Sequence, residues 1–368
     1  MRITSGWLQI TTGLDGFGIR MIFGQPCFGA EDRTKRREAA RFVAEAANIH
    51  QGNFFMSKTA LLFAGQGAQK VGMGKDLAEQ FPLAKALFEK ANHTLGYDLS
   101  GVCFNGPDGE LTKTENAQPG IYLVSWIAFQ LLQSRLPNFT FEATAGLSLG
   151  EFTALAAAGA MSFDDGLKTV RERGRFMQEA CETTRGAMAA IIALDEIVTR
   201  GICQETGVEL ANINCPGQLV ISGEAEKIAQ ACELARQKGA KKALPIPVAG
   251  AYHSRLMASA QPKLRRALAG LTLFPPGVAV ISNVTAAPHG SPAEIVEGLV
   301  NQVTSSVRWE ESIRFLVARG FTRFIEFGPG TTLSGFLKRI DDTVVRLNVA
   351  EATSLESTVQ ALSRPTLR

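Results

Sequence analysis

The chain has 368 residues, of which 45% are hydrophobic and 20% are charged, and 38 Lys and Arg against 35 Asp and Glu leave a net charge of +3. This composition is typical of a soluble globular protein, and it excludes a single small module or a mainly disordered chain. The nearly balanced charge gives no reason to expect a nucleic-acid or membrane partner.

Residues 1–55 precede the first convincing strand. The sequence Met-Ser-Lys-Thr at 56–59 stands directly before the apolar stretch 60–64. We therefore expect residues 1–55 to be an upstream extension or a misassigned start with little fixed structure. No apolar run approaches the ~20 residues that span a bilayer, and the first 30 residues lack a signal-peptide pattern, so export is not expected.

From residue 59, short apolar segments alternate with longer amphipathic ones, which predicts an α/β fold with a parallel sheet. In the first part of this domain, 56–183, we predict both strands and helices. The predicted strands are 60–64 and 141–146, and the predicted helices are 74–94, 120–133 with Pro119 at its start, 151–158 and 164–181.

The middle of the chain changes to the order β-α-β-β-α-β, which is typical of a ferredoxin-like subdomain. We predict this subdomain at 184–247, inserted into the larger α/β domain, which resumes over 248–350. The resumed part has predicted strands at 278–282 and 323–327, and 351–368 is expected to be a C-terminal tail.

The pentapeptide Gly-Leu-Ser-Leu-Gly at 146–150 lies between a predicted strand and a predicted helix. In that context G-x-S-x-G indicates a nucleophile elbow, where small residues permit a sharp turn that presents Ser148 at the start of the helix. The N–H of Leu149 would then donate to an oxyanion, assisted by the helix dipole. The alternative is a glycine-rich turn with an incidental serine.

A serine needs a base at neutral pH, and the chain has only four histidines. His253 is favoured because it lies in a loop where the chain returns to the main domain. His50 lies in the extension, His93 at an exposed helix end and His289 in a loop. No aspartate stands out as a third triad member, so we expect a backbone carbonyl to orient the imidazole. The alternative for His253 is a loop histidine without a catalytic role.

Two further segments have possible roles beside the serine. Residues 65–70 read Gly-x-Gly-x-x-Lys, which supports a dinucleotide site poorly, whereas the N–H of Gln66 could supply a second oxyanion donor. Arg173 lies beside Gly174 on a helix that we expect to be buried, and a buried guanidinium binds a carboxylate with two hydrogen bonds. If Arg173 faces the serine, it selects acyl groups with a free carboxylate; the alternative is a solvated helix face.

Six cysteines are scattered, without a Cys-x-x-Cys pair or a close Cys/His cluster. Neither a structural zinc site nor a redox motif is therefore expected, and reduced thiols in a cytoplasmic protein are predicted.

Together these features resemble the malonyl-CoA:acyl-carrier-protein transacylase family over about residues 57–350. The segments that carry the resemblance, in order, are FAGQGAQKVGMG (63–74), TENAQPGIY (114–122), GLSLGEFTAL (146–155), RGRFMQEA (173–180), NINCPGQLVISG (212–223), AYHSRLM (251–257), NQVTSSVRW (301–309) and EFGPGTTLSGFLKRI (326–340). The resemblance implies an α/β-hydrolase-like core with a ferredoxin-like insertion, in agreement with the pattern of elements.

Residue by residue, the resemblance implies Ser148 as nucleophile and His253 as base, with the main-chain carbonyl of Gln302 holding the imidazole. It also implies that Arg173 binds the malonyl carboxylate. The implied oxyanion donors are the N–H groups of Gln66 and Leu149. The residues implied to line the coenzyme A or pantetheine channel are Met177, Asn212 and Asn214.

The implied activity is malonyl transfer from malonyl-CoA to the phosphopantetheine thiol of acyl carrier protein, through a malonyl-serine ester, in fatty acid biosynthesis. No metal or redox cofactor is implied, and we expect a monomer. Many bacterial members have His before the nucleophile where this chain has Leu147, which removes one hydrogen bond to the malonyl group. The alternatives are an acyltransferase of a polyketide-type pathway, a serine hydrolase and a catalytically silent carrier-protein or CoA-binding subunit.

Overall fold

The computed structural model describes residues 58–364, together with two short strands, Thr12–Gly13 and Gly16–Phe17, which pair antiparallel. The prediction for residues 1–55 otherwise lies outside the described residues. Within 58–364, no helix combines the length and the apolar character that crossing a bilayer requires.

The strands and helices of residues 58–364 alternate along most of the chain. The strands are β1 (Lys58–Phe63), β2 (Ala143–Gly146), β3 (Gly186–Ile192), β4 (Glu209–Cys215), β5 (Gln218–Glu224), β6 (Lys242–Pro245), β7 (Ala279–Ile281), β8 (Phe321–Phe327) and β9 (Val345–Val349). The helices are α1 (Lys75–Gln80), α2 (Pro82–Leu95), α3 (Leu99–Asn105), α4 (Asp108–Thr112), α5 (Thr114–Arg135), α6 (Gly150–Ala157), α7 (Phe163–Thr183), α8 (Glu196–Thr206), α9 (Ala225–Gln237), α10 (Gln261–Ala269), α11 (Pro292–Gln302), α12 (Trp309–Val317), α13 (Thr332–Ile340) and α14 (Ala352–Ser363), with a 3-10 helix at Arg255–Ala260.

The main sheet has five strands in the order β9-β8-β1-β2-β7, and all neighbouring strands are parallel. Its register pairs Phe63 with both Gly146 and Phe327, so the carboxyl ends of β1, β2 and β8 lie side by side. In open α/β sheets, ligands bind just outside the carboxyl ends of the strands. The turns that follow β1 and β2 therefore meet at the edge of the sheet where a site is expected.

The main sheet is covered on both faces, as is usual for parallel sheets. Successive side chains of β1 point to opposite faces. Leu61 and Phe63 join a large apolar cluster that includes α5 and α7, whereas Ala60 and Leu62 join a second cluster around the fully buried Trp309. This double burial holds the strand ends rigidly in place beneath the turns.

The second sheet is antiparallel, with four strands in the order β4-β5-β3-β6, and it packs against α8 and α9 around its own apolar core. The chain order from β3 to β6 is the predicted β-α-β-β-α-β. Hydrogen bonds of 2.9 Å from Ile213 N–H to the Val307 carbonyl and 2.8 Å from Val307 N–H to the Ala211 carbonyl join this sheet to the segment after α11. The predicted α/β class with an inserted antiparallel subdomain is confirmed.

Two predicted boundaries differ from the structure. Helix α5 begins at Thr114, and Pro119 lies inside it rather than at its start. A proline inside a helix removes one backbone hydrogen bond, but residues 116–125 around it are all buried, so packing holds the helix together across that position. The segment predicted as a C-terminal tail, 351–368, includes helix α14, which buries Leu355 completely on an apolar face with period 3–4.

Candidate active site

The turn between β2 and α6 holds Ser148 in a left-handed backbone conformation, with φ of 51°. Such a conformation costs about 1–3 kcal/mol for a residue other than glycine, and it persists only where the surroundings hold it. Side chains are not tolerated on either side of the turn, because a Cβ at Gly146 would overlap the backbone of Gly150 and one at Gly150 would overlap the Phe63 carbonyl. The G-x-S-x-G sequence thus forms a nucleophile elbow.

The hydroxyl of Ser148 lies beside a buried imidazole. Oγ of Ser148 is 2.9 Å from Nε2 of His253, and Nδ1 of His253 is 2.9 Å from the main-chain carbonyl of Gln302. Since Nδ1 donates to the carbonyl, Nε2 is left to accept the hydroxyl proton. The structure therefore places Ser148, His253 and Gln302 together in the order that the sequence predicts.

The protonation of His253 follows from its surroundings. Burial, and after it the positive charge of Arg173, lower its pKa from the usual 6.5 to about 4, although hydrogen bonds to the backbone of Gln302 and Ser305 oppose both effects. The imidazole is consequently neutral at pH 7, which is the form that a general base requires.

Arg173 is buried, with 1% of its surface exposed, and its hydrogen-bond partners among the described residues are neutral. Nη1 donates to Oε1 of Gln118 at 2.7 Å, and Nη2 donates to Oε1 of Gln302 at 2.8 Å and to Oγ of Ser148 at 3.0 Å. Nε is buried without a partner among the described residues. Burial lowers the pKa of Arg173 to about 10, against the opposing charge of Glu151, so the guanidinium stays charged at pH 7.

A buried cation that contacts no anion is unfavourable, and a ligand that brings a carboxylate relieves this cost. Among residues 58–364, no carboxylate contacts the Arg173 guanidinium. The position of Nη2 beside Ser148 means that such a carboxylate would sit next to the reacting hydroxyl.

The two predicted oxyanion donors lie in the elbow, at Leu149, and in the turn packed against it, at Gln66. Leu149 has helical φ and ψ of −56° and −32° at the start of α6, where N–H groups lack partners within the helix. The chain before Gln66 runs against the elbow, because a Cβ at Gly65 would overlap the carbonyl of Leu147, whose N–H donates to the Phe63 carbonyl at 3.1 Å. Two such N–H groups would stabilise a developing oxyanion, and this role of Gln66 and Leu149 stays a prediction.

The three residues predicted to line the channel occupy two different places. Met177 lies one turn after Arg173, and its Sδ is 3.6 Å from Nε2 of Gln118, so it borders the arginine pocket. Asn212 and Asn214 lie on β4 of the small sheet and are largely buried. Within the described residues, no hydrogen bond joins either asparagine to Ser148 or Arg173, and their place in the channel stays a prediction.

Sequence reasoning missed four buried groups around the elbow, which are Gln118, Glu151, Asn283 and His289. Glu151 is the only charged residue of α6, whose sequence is GEFTALAA, and this solitary acid was a readable signal for a buried carboxylate. The sequence indicates only a loop position for His289, yet its Nε2 lies 2.6 Å from Oε1 of Glu151. Nothing in the sequence indicates that pairing across 138 positions.

The site combines a serine–histidine pair at an elbow of an α/β sheet, backbone N–H groups beside the serine and a buried guanidinium. This combination is typical of an enzyme that transfers or hydrolyses acyl groups through a serine nucleophile. Comparison of the chain with known proteins narrows this class to one family. The acyl transferase domain family matches residues 60–358. Malonyl CoA-acyl carrier protein transacylase of Bacillus subtilis (strain 168) is 46% identical over 312 residues, which are 83% of this chain and 98% of that protein.

Solved structures agree with this result. The malonyl CoA-acyl carrier protein transacylase of Coxiella burnetii has a TM-score of 0.81 and 34% identity, over 84% of this chain and 98% of that one. The complex PlMCAT:AntF, of a type II PKS acyl-carrier protein with its malonyl-transacylase, has a TM-score of 0.80 and 36% identity, over 83% of this chain and 100% of that one. The chain belongs to the malonyl-CoA:acyl-carrier-protein transacylase family, and the predicted resemblance is confirmed.

Proposed function

We propose that this protein transfers the malonyl group of malonyl-CoA to the phosphopantetheine thiol of acyl carrier protein, through an ester on Ser148. One observation carries the choice of malonyl. The charged guanidinium of Arg173 lies 3.0 Å from Ser148 Oγ and contacts no carboxylate among the described residues. An acyl group with a free carboxylate completes that site, whereas an uncharged acyl group leaves the cation unpaired.

In the first half-reaction, Nε2 of His253 takes the proton of Ser148 as Oγ attacks the thioester carbonyl. The tetrahedral oxyanion accepts hydrogen bonds from the N–H groups of Leu149 and Gln66. The Gln302 carbonyl holds the imidazolium that forms. The C–S bond then breaks, and the coenzyme A sulfur leaves with the proton from His253. Arg173 holds the malonyl carboxylate meanwhile, and its unpartnered Nε is a further donor for it.

In the second half-reaction, the phosphopantetheine thiol gives its proton to His253 and attacks the carbonyl of the malonyl ester. The bond between that carbon and Oγ of Ser148 then breaks, and Oγ takes the proton back from His253. One thioester is exchanged for another, so the equilibrium constant of the overall transfer lies near unity. Ser148, His253 and the two thiols account for each proton and bond in the transfer, and the proposal includes no metal or redox cofactor. We also propose that the enzyme is a monomer and that it acts in the cytoplasm, as the sequence predicts.

The test is intact-mass spectrometry of the full chain after incubation with malonyl-CoA. We expect one malonyl adduct on the wild-type protein and none on Ser148→Ala. An adduct of equal yield on Ser148→Ala would reject the assignment. Parallel incubations with methylmalonyl-CoA and acetyl-CoA show whether the free carboxylate selects the acyl group, as the Arg173 contacts require.

Two alternatives are separated by following the adduct. A serine hydrolase would lose the malonyl group to water within the time of one turnover, whereas a transferase retains it until a carrier thiol is added. A transferase of a polyketide-type pathway would form the same adduct, and it would prefer a polyketide carrier protein to a fatty-acid carrier protein as acceptor. The comparison of the two carriers at equal concentration therefore decides between the pathways.

A further inference from the structure

Two amide side chains hold the backbone of Ser148 from opposite sides. The N–H of Ser148 donates to Oδ1 of Asn283 at 2.6 Å, and Nε2 of Gln302 donates to the Ser148 carbonyl at 2.9 Å. Nδ2 of Asn283 also donates to the carbonyl of Gly146 at 2.7 Å. Since the left-handed conformation of Ser148 is unfavourable by itself, these contacts to its backbone stabilise that conformation.

Both amide residues are bound to one carboxylate, that of Glu151. Its Oε2 accepts the N–H of Asn283 at 3.1 Å and Nε2 of Gln302 at 2.7 Å, and its Oε1 accepts Nε2 of His289 at 2.6 Å. The side chains of Glu151 and His289 are 0% and 3% exposed. A carboxylate withdrawn this far from water is stable only when hydrogen bonds occupy its oxygens, and both oxygens of Glu151 have partners.

The same group reaches the base through Gln302. The main-chain carbonyl of Gln302 holds Nδ1 of His253, while its side chain is fixed by Glu151 and by the Ser148 carbonyl. Glu151 therefore connects to the nucleophile through Asn283 and to the base through Gln302. A shift of its carboxylate would move both members of the Ser148–His253 pair.

We propose that Glu151 is a positioning residue of the acyl-transfer reaction: its carboxylate, anchored by His289, fixes Asn283 and Gln302 and thereby sets the Ser148–His253 geometry. The inference rests on the proposed function, and it assigns Glu151 no contact with substrate. A competing role is purely electrostatic. Gln302 accepts from Arg173 while donating to Glu151, so the carboxylate lies one amide away from the buried guanidinium and partly balances its charge.

Two conservative variants separate geometry from charge. Glu151→Gln removes the charge but keeps an oxygen for the donors of Asn283 and Gln302, and its NH2 can donate to the other tautomer of His289. Glu151→Asp keeps the charge but withdraws both oxygens by one methylene. We expect Glu151→Asp to lower kcat by about 100-fold, the scale of a 1 Å misplacement, with a much smaller change in KM for malonyl-CoA. Glu151→Gln should retain most of the wild-type kcat.

The matched controls are Glu196→Asp and Glu196→Gln, at an acid in the first turn of α8 whose side chain is 38% exposed; both should have wild-type kcat. A wild-type kcat in Glu151→Asp overturns the proposal. A greater loss of kcat in Glu151→Gln than in Glu151→Asp also overturns it, because that result would mean that Glu151 acts through its charge. Thermal unfolding shows whether Glu151→Asp folds. If it does not fold, Asn283→Leu is measured instead: a lower kcat with unchanged KM supports the positioning role, and a wild-type kcat rejects that role.

These outcomes are distinct from failure of the proposed function. That failure would appear in the wild-type protein itself, as the absence of a malonyl adduct on Ser148, before any Glu151 variant is measured.

Discussion

Two arginines on helix α7, two positions apart, show how differently this molecule treats charge in its interior and at its surface. Arg173 is buried and binds only neutral oxygens, whereas the side chain of Arg175 is 41% exposed and pairs with Glu172 and Glu179 on its own helix, at 2.6 and 2.5 Å. The surface charge is thus satisfied locally. Among the described residues no anion contacts the buried charge of Arg173, which lies next to Ser148, and this difference distinguishes the arginine proposed to bind the malonyl carboxylate from the exposed face of the same helix.

The largest expected effect separates a buried histidine from an exposed one. We expect His253→Ala to slow formation of the malonyl-serine ester by roughly 10²–10⁴-fold, the usual contribution of a general base. His93→Ala, on the exposed face of α2, should react at the wild-type rate. The measurement is the single-turnover rate of adduct formation by rapid quench and mass spectrometry. An equal rate in His253→Ala would mean that another group takes the serine proton.

The next prediction compares the two arginines directly. Arg173→Ala should lower kcat/KM for malonyl-CoA by about 10–100-fold, since hydrogen bonds to charged groups are worth about 1.5–3 kcal/mol each. The loss with acetyl-CoA should be smaller, because acetyl brings no carboxylate. Arg175→Ala is the control, and it should leave both values near wild type. An unchanged ratio of malonyl to acetyl activity in Arg173→Ala would contradict the carboxylate contact.

The contrast between these regions also explains what could be predicted from the sequence. The elbow was predictable because G-x-S-x-G is a local pattern with a steric cause at Gly146 and Gly150. The α/β class followed from short apolar runs alternating with amphipathic helices. Arg173 could be singled out only as one of three arginines on a helix, because its burial depends on the packing of α7 against α5.

The network behind the elbow could not be predicted, for a physical reason. Glu151 binds His289, Asn283 and Gln302, which follow it by 132 to 151 positions and lie on separate elements. Long-range polar contacts of this kind have no periodic pattern in sequence. A lone acid in an apolar helix indicates that a buried partner exists, but the fold alone identifies it.

A third prediction concerns pH and the neutral state of the buried base. Because a base acts only when unprotonated, activity is present above the pKa of His253 and is lost as pH falls through it. With that pKa at about 4, kcat/KM for malonyl-CoA should persist at pH 5.5, and its acid limb should have a midpoint well below 6.5. A midpoint at 6.5 or above would show that the imidazole is not held neutral by burial.

The lowered pKa of His253 also makes the free energy of unfolding depend on pH. Unfolding exposes His253 and returns its pKa to about 6.5, so the unfolded state binds more protons between pH 6.5 and 4. The free energy of unfolding should therefore fall as pH decreases through this range, by up to about 3 kcal/mol from this group. Urea unfolding of the wild type and of His253→Gln at pH 7 and pH 4.5 checks it. The variant should lose less stability on acidification, and an equal loss would contradict the prediction.

The smallest expected effect lies at the surface, in the ion pair between Glu196 and Arg200 on α8. Nε of Arg200 donates to Oε1 of Glu196 at 2.8 Å, and the two side chains are 49% and 38% exposed respectively. An acid four positions before an arginine is the favourable order on a helix, but solvent screens the pair, so we expect a coupling energy of about 0.3–0.5 kcal/mol. A double-mutant cycle of Glu196→Ala and Arg200→Ala, followed by urea unfolding, measures it, and transfer activity should not change. A coupling above about 1 kcal/mol would place this pair outside the range of exposed ion pairs. The distinction between interior and surface charge would then need a cause other than solvation.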